Sequence, residues 1–136
     1  MIFRGRGIAR GHASGELLVS PEPISFLSGV NPDTGEIVEK GHPLEGKNIS
    51  GKVLAFDHGK GSTVGSYVIY ALSRNGHAPV AIVNAEAEPI IATGAIMGGI
   101  PMIDQIGIPL SKLKSGVPST VDGDTGDFIY EGELLE

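Results

Sequence analysis

Val53-Leu54-Ala55-Phe56, Tyr67-Val68-Ile69-Tyr70-Ala71-Leu72 and Pro79-Val80-Ala81-Ile82-Val83 are the three apolar runs on which the fold turns. The first and third are short and bounded by Gly or Pro, so they read as buried strands. The longer middle run follows a glycine-rich turn and reads as a buried helix. Asn75-Gly76 ends that helix. Pro89 opens a second one, through Ile90, Ile91, Ala95 and Ile96 to Gly98-Gly99, and Ile100-Pro101-Met102-Ile103 supplies a third strand. Strands alternating with helices imply a parallel βαβαβ unit with right-handed crossovers.

Working outward, Ile8-Ala9 and Glu16-Leu17-Leu18-Val19 flank Gly11-His12-Ala13-Ser14-Gly15, which predicts a β-hairpin within residues 2–20. At the other end, strand-like residues on either side of the Gly/Asp turn in 119–130 predict a closing hairpin. Between Pro21 and Gly51 the periodicity is lost among prolines and glycines. Ser25-Phe26-Leu27 and Ile37-Val38 give that segment apolar anchors, so an ordered loop is expected. The sum is an α/β chain, one β/β/α layered domain over residues 1–136, with outer strands from both ends around the βαβαβ unit.

The bulk numbers agree with this reading. A chain of 136 residues buries a real core without disulfides, and 21 Gly and 9 Pro with 40% hydrophobic residues favour a turn-rich mixed fold over a bundle. The formal charge of −6 argues against a binder of phosphate backbones. No run approaches the roughly 18 apolar residues of a membrane span, and Met1-Ile2-Phe3-Arg4-Gly5-Arg6-Gly7 lacks the apolar core of a signal peptide, so a cytoplasmic protein is expected. With no cysteine, the chain offers no thiol nucleophile and no thiolate ligand for an iron–sulfur cluster.

The chemistry concentrates in Gly59-Lys60-Gly61-Ser62-Thr63-Val64-Gly65-Ser66, between a buried strand and the start of a buried helix. A helix N-terminus presents unpaired N–H groups and the positive end of the dipole, which stabilise an anion or an ionised hydroxyl. The plainer reading makes Ser62 or Thr63 a helix cap. A Walker A loop needs GxxxxGK[ST], and Lys60 stands before the second glycine here, so nucleoside triphosphate binding is rejected. Asp57 and His58 lie just upstream of Ser62, but neighbouring residues at a strand end point to opposite sides and do not readily form a relay. Arg4, Arg6, Arg10 and Arg74 are candidates for an anionic group and equally for surface charge, and none is assigned. His42, followed by Pro43, reads as a structural loop residue more readily than as a site residue, and His12 and His77 carry no stronger signal.

The Ser62 loop resembles the G-x-G-S-[ST] loop of aconitase-type swivel domains. More broadly, the chain is similar to the small subunits of the aconitase X family. The similarity is carried by the Gly-x-Ala rhythm from Gly7 to Gly15, Ser25-Phe26, Gly29-Val30-Asn31-Pro32-Asp33-Thr34-Gly35, Gly41-His42-Pro43-Leu44-Glu45-Gly46, the loop itself and Ala78-Pro79-Val80-Ala81-Ile82-Val83, in order along the chain. The resemblance implies a swivelling β/β/α domain with β-barrel-like outer strands, Ser62 as the catalytic base, and Lys60, Gly61 and Thr63 around the substrate. It also implies a large partner subunit carrying the iron–sulfur cluster, of [4Fe-4S] type, with no metal on this chain. Within the family it resembles the archaeal phosphomevalonate dehydratases, which implies dehydration of mevalonate 5-phosphate to trans-anhydromevalonate 5-phosphate; hydroxyproline-type substrates are the family alternative. The phosphohistidine swivel domains share the layer order, but the histidine of their G-G-x-x-S-H-A loop has no counterpart in Ser62–Ser66.

Overall fold

A computed structural model describes residues 1–60 and 64–136. At its centre, three strands of near-continuous apolar sequence run parallel: β4 (Val53–Phe56), β5 (Ala81–Asn84) and β6 (Met102–Asp104), each buried along its whole length. Sequences of this kind belong to a sheet covered on both faces. Leu54, Phe56, Ile82 and Met102 point toward the helices and pack with Ile69, Leu72, Ile91 and Ala95. Val53, Ala55, Ala81, Val83 and Ile103 point the other way and pack with Leu17, Val121, Phe128 and Tyr130. The predicted βαβαβ unit is thus present, with α2 (Gly65–Arg74) and α3 (Pro89–Gly98) as its crossovers. Asn75 and Gly76 close α2, and Gly99, in the left-handed conformation at φ 68°, caps α3.

The remaining strands are β1 (Ile2–Arg4), β2 (Arg6–Ala9), β3 (His12–Val19), β7 (Pro118–Asp122) and β8 (Asp127–Tyr130). Among the described residues the strand order is β1-β8-β7-β3-β4-β5-β6-β2. Its two ends, β1 and β2, are separated in sequence by Gly5 alone, so the row of strands closes on itself in the barrel-like manner expected. Glycines make the seam. The Gly5 amide donates to the Gly126 carbonyl at 2.9 Å, and the Gly123 amide to the Gly11 carbonyl at 2.6 Å. A Cβ on Gly7 would fall on the Gly123 carbonyl, and one on Gly123 would fall on the Ala9 carbonyl.

The hairpin expected within residues 2–20 is not there. β2 pairs antiparallel with β6, whereas β3 pairs antiparallel with β7 and parallel with β4, so the two run in different parts of the sheet. The residues read as a turn, His12 to Gly15, are the first half of β3. Their small side chains serve close packing: a Cβ on Gly15 would sit 3.0 Å from the Gly51 carbonyl oxygen and 3.1 Å from Val80. Only Gly11, at φ 112°, turns the chain. The closing hairpin, by contrast, stands as read, with Ser119 opposite Tyr130 and Val121 opposite Phe128.

The segment from Pro21 to Gly51 is ordered and draped over the helix side of the sheet. It contains one short helix, α1 (Phe26–Gly29), and two antiparallel bridges, Val30 to Ile37 and Glu36 to Asn48. Ile24, Phe26, Val30, Ile37, Leu44 and Ile49 are buried in the same cluster as Phe56 and Ile69. Each such side chain contributes roughly 1.5–3 kcal/mol on burial, enough to offset the ordering of an irregular backbone. Leu27 and Val38, offered as anchors by the sequence, are instead exposed. Among the described residues, no helix is long and apolar enough to cross a membrane.

Candidate functional site

Strands β4, β5 and β6 all end on the same side, and in parallel sheets that side gathers the loops that bind ligands. Phe56, Asn84 and Asp104, the last residues of the three strands, lie in one register row. Beyond Phe56 the chain runs through Asp57, His58, Gly59 and Lys60 toward Ser62; Gly61, Ser62 and Thr63 lie outside the described residues. The description resumes at Val64, the residue before α2, which has no hydrogen-bonding side chain to cap it. The first turn of α2 carries no acidic residue, so no carboxylate of its own offsets the positive end of that helix dipole.

The approach to Ser62 is tightly held. The Lys60 amide donates to the Ile24 carbonyl at 3.0 Å, and Gly59 bridges Ile24 in parallel fashion, which ties the loop to the draped 21–51 segment. On the other side Gly59 abuts α3: a Cβ there would stand 2.6 Å from Ile91 Cδ1 and 3.2 Å from Glu88 Oε1. The glycine is therefore required by packing at this position. A cavity of about 100 Å³ opens beside it, with Phe26, Lys60, Gly65, Glu88 and Ile91 in its walls. A more open cleft adjoins it, between Asp57, His58 and the 85–88 turn.

Lys60, read as a cation near the base or a substrate contact, reaches back to Glu39, Nζ to Oε2 2.9 Å, with about half of its side chain in solvent. An exposed pair of this kind is worth at most about 1 kcal/mol, so it is easily exchanged for another anion. Glu39 and Glu88 were not singled out by the sequence reading. Glu88 could have been, since a polar residue directly before Pro89 marks a helix start; its Oε1 accepts from the Ile91 amide at 3.0 Å and occupies the N-terminus of α3. The Ser62 loop leads instead into the start of α2.

Two further charged residues frame the row of strand ends. Asp104 is wholly buried; its Oδ1 accepts from Arg6 Nε at 3.0 Å, and its Oδ2 from Arg6 Nη2 at 2.8 Å and the Ala87 amide at 2.7 Å. The hydrogen bond and the charge of Asp104, helped by Glu86, hold the Arg6 guanidinium still more firmly protonated than usual. Arg6 thus belongs to the framework. Arg4 reaches only Asp127, at 3.4 Å on the surface. His42 is also structural, as its sequence setting suggested. The Leu44 amide donates to its Nδ1 at 3.0 Å, which leaves Nε2–H to donate to the Pro23 carbonyl at 3.1 Å, so both ring nitrogens are spent inside the draped segment.

A family model described as the aconitase X swivel domain matches residues 2–129. The chain is 54% identical over 136 residues to the phosphomevalonate dehydratase small subunit of Pyrococcus furiosus, covering 98% of this chain and 100% of that one. It is 58% identical over 126 residues to the subunit of the same name from Thermococcus onnurineus, covering 93% and 95%. Among solved structures, the crystal structure of Thermococcus kodakaraensis aconitase X in its holo form matches with a TM-score of 0.90 at 51% identity, covering 100% of this chain and 99% of that chain.

Proposed function

The chain belongs to the aconitase X swivel-domain family, and from that membership we propose that it is the small subunit of a cytoplasmic hydro-lyase of the mevalonate pathway, a phosphomevalonate dehydratase active only with a large partner. In this reading it acts as a single swivel-type domain over residues 1–136. Its substrate is mevalonate 5-phosphate, and Ser62 is the proton acceptor.

The residues of this chain do not fit an iron–sulfur cluster. It has no cysteine, and no group of three or more His, Asp or Glu among the described residues is placed to hold a metal ion. The [4Fe-4S] cluster and the departure of hydroxide are therefore assigned to the partner. What this chain supplies is the proton transfer. The C2–H bond beside the substrate carboxylate breaks, the proton passes to the Ser62 oxygen, and the electron pair becomes the C2=C3 double bond as the C3 hydroxyl leaves. A serine does this only as an alkoxide, and the positive end of α2, with loop N–H groups, is the feature that stabilises one. Lys60, Gly61 and Thr63 shape the cradle for the substrate, Lys60 giving up Glu39 in favour of a substrate anion.

The observation that carries the reading is the setting of the loop: it follows a buried parallel strand, its Gly59 and Lys60 are held between Ile24 and Ile91, and it leads into a helix whose first turn carries no acidic residue. Val64 and Tyr67, exposed at the start of α2, suit burial by a partner. The test is to co-express the chain with a cysteine-containing large subunit, reconstitute the cluster anaerobically, and assay dehydration of mevalonate 5-phosphate. Ser62→Ala is expected to assemble normally and lose at least about 10²-fold in kcat, the usual share of a positioned base. Full activity in Ser62→Ala removes the serine from the mechanism, and a well-formed complex inert toward this substrate overturns the substrate assignment.

A further inference from the structure

Asn84 ends β5 at the centre of the row of strand ends, flanked by Phe56 and Asp104, and is completely buried. Its Nδ2 donates to the Phe56 carbonyl at 2.9 Å and lies 3.4 Å from the Val83 carbonyl. These two oxygens fix the orientation of the amide, because turning it over would set oxygen against oxygen. Its Oδ1 accepts nothing, and it is the only buried side-chain polar atom among the described residues without a hydrogen bond. An enclosed acceptor left open is costly, and buried groups of this kind are nearly always satisfied. The preceding residues, Ile82 and Val83, show that the strand accommodates apolar side chains, so packing alone does not call for an amide here.

Phe56 is the last residue of β4, and the next carbonyl, of Asp57, receives the Ala85 amide at 3.1 Å. Asn84 and Ala85 together therefore hold the last two carbonyls before the chain leaves the sheet for His58, Gly59, Lys60 and Ser62. We propose that Asn84 is a positioning residue for the serine-bearing segment: its Nδ2–H, held on the Phe56 carbonyl, sets the direction in which the chain leaves β4. The proposal rests on the reading of Ser62 as the base, and it concerns a side chain that contacts the loop's root instead of the substrate.

The experiment measures two things. Amide hydrogen exchange of 57–60 is followed in the isolated subunit, and kcat and KM are measured in the complex, for wild type and Asn84→Leu. Asn84→Leu removes donor and acceptor together at similar size. Exchange at 57–60 is expected to rise about tenfold with the rest of the sheet unchanged. In the complex, kcat is expected to fall about tenfold or more while KM stays within about threefold, the pattern of a misplaced base. If Asn84→Leu fails to fold, Asn84→Ser, which is too short to reach the Phe56 carbonyl, is put through the same measurements. Unchanged exchange at 57–60 in a folded variant overturns the proposal whatever the activity. Raised exchange with a wild-type complex inert toward mevalonate 5-phosphate supports the positioning role and overturns the substrate assignment alone.

Discussion

Asp104 meets three N–H donors with its two oxygens and has no contact with solvent, so removing it strips the Ala87 amide and Arg6 of their partner at once. Asp104→Ala is expected to cost about 2–3 kcal/mol, against at most about 1 kcal/mol for Asp127→Ala at the exposed Arg4 pair, measured by urea unfolding. The same residue shows what a sequence reveals at this scale. A single aspartate after Ile103 looks like any strand terminus, and its partner lies 98 positions away. Ser62 and Lys60 stood out as candidates because the pattern that singles them out is local, a loop of small residues between two apolar runs. Asn84, Glu88 and Glu39 did not, because their roles depend on which strand end or segment packs beside them.

Helices α2 and α3 were legible as elements because each has a clear stop and an apolar body. Their contact was not, since nothing in Gly94 announces its partner. A Cβ on Gly94 would lie 2.8 Å from Ile69 Cδ1 and 2.9 Å from Ile69 Cβ, so the two helices cross at this point through a missing side chain. Gly94→Ala gains up to about 1 kcal/mol in helix propensity, but the overpacking it forces costs about 1–3 kcal/mol. A net loss of stability is therefore expected, read as a lower midpoint in denaturant with an unchanged slope. β3 teaches the converse. Ala13, Ser14 and Gly15 stand in succession in its first half, where their turn propensities disguise the strand, and the pairing of that half with β7 identifies it.

For the molecule as a whole, closure of the strand row is the feature on which everything else hangs, and it depends on backbone-to-backbone contact at Gly5, Gly7, Gly123 and Gly126. A methyl group at Gly123 would have to displace the Ala9 carbonyl. Gly123→Ala is expected to lower the thermal midpoint by roughly 10 °C or more, or to prevent soluble expression, as checked by calorimetry or circular dichroism. The central βαβαβ unit was legible because its order follows the chain; the closure was expected only through the family resemblance, because the pairings that make it join segments from opposite ends of the sequence. The Met1 amino group donates to the Tyr130 carbonyl at 2.9 Å across a separation of 129 residues, and Ile2 pairs with Ile129. During synthesis on the ribosome, β1 must therefore wait, unpaired, until β8 has been translated. Its short length, with Arg4 exposed at its end, keeps that waiting edge a poor template for other nascent chains.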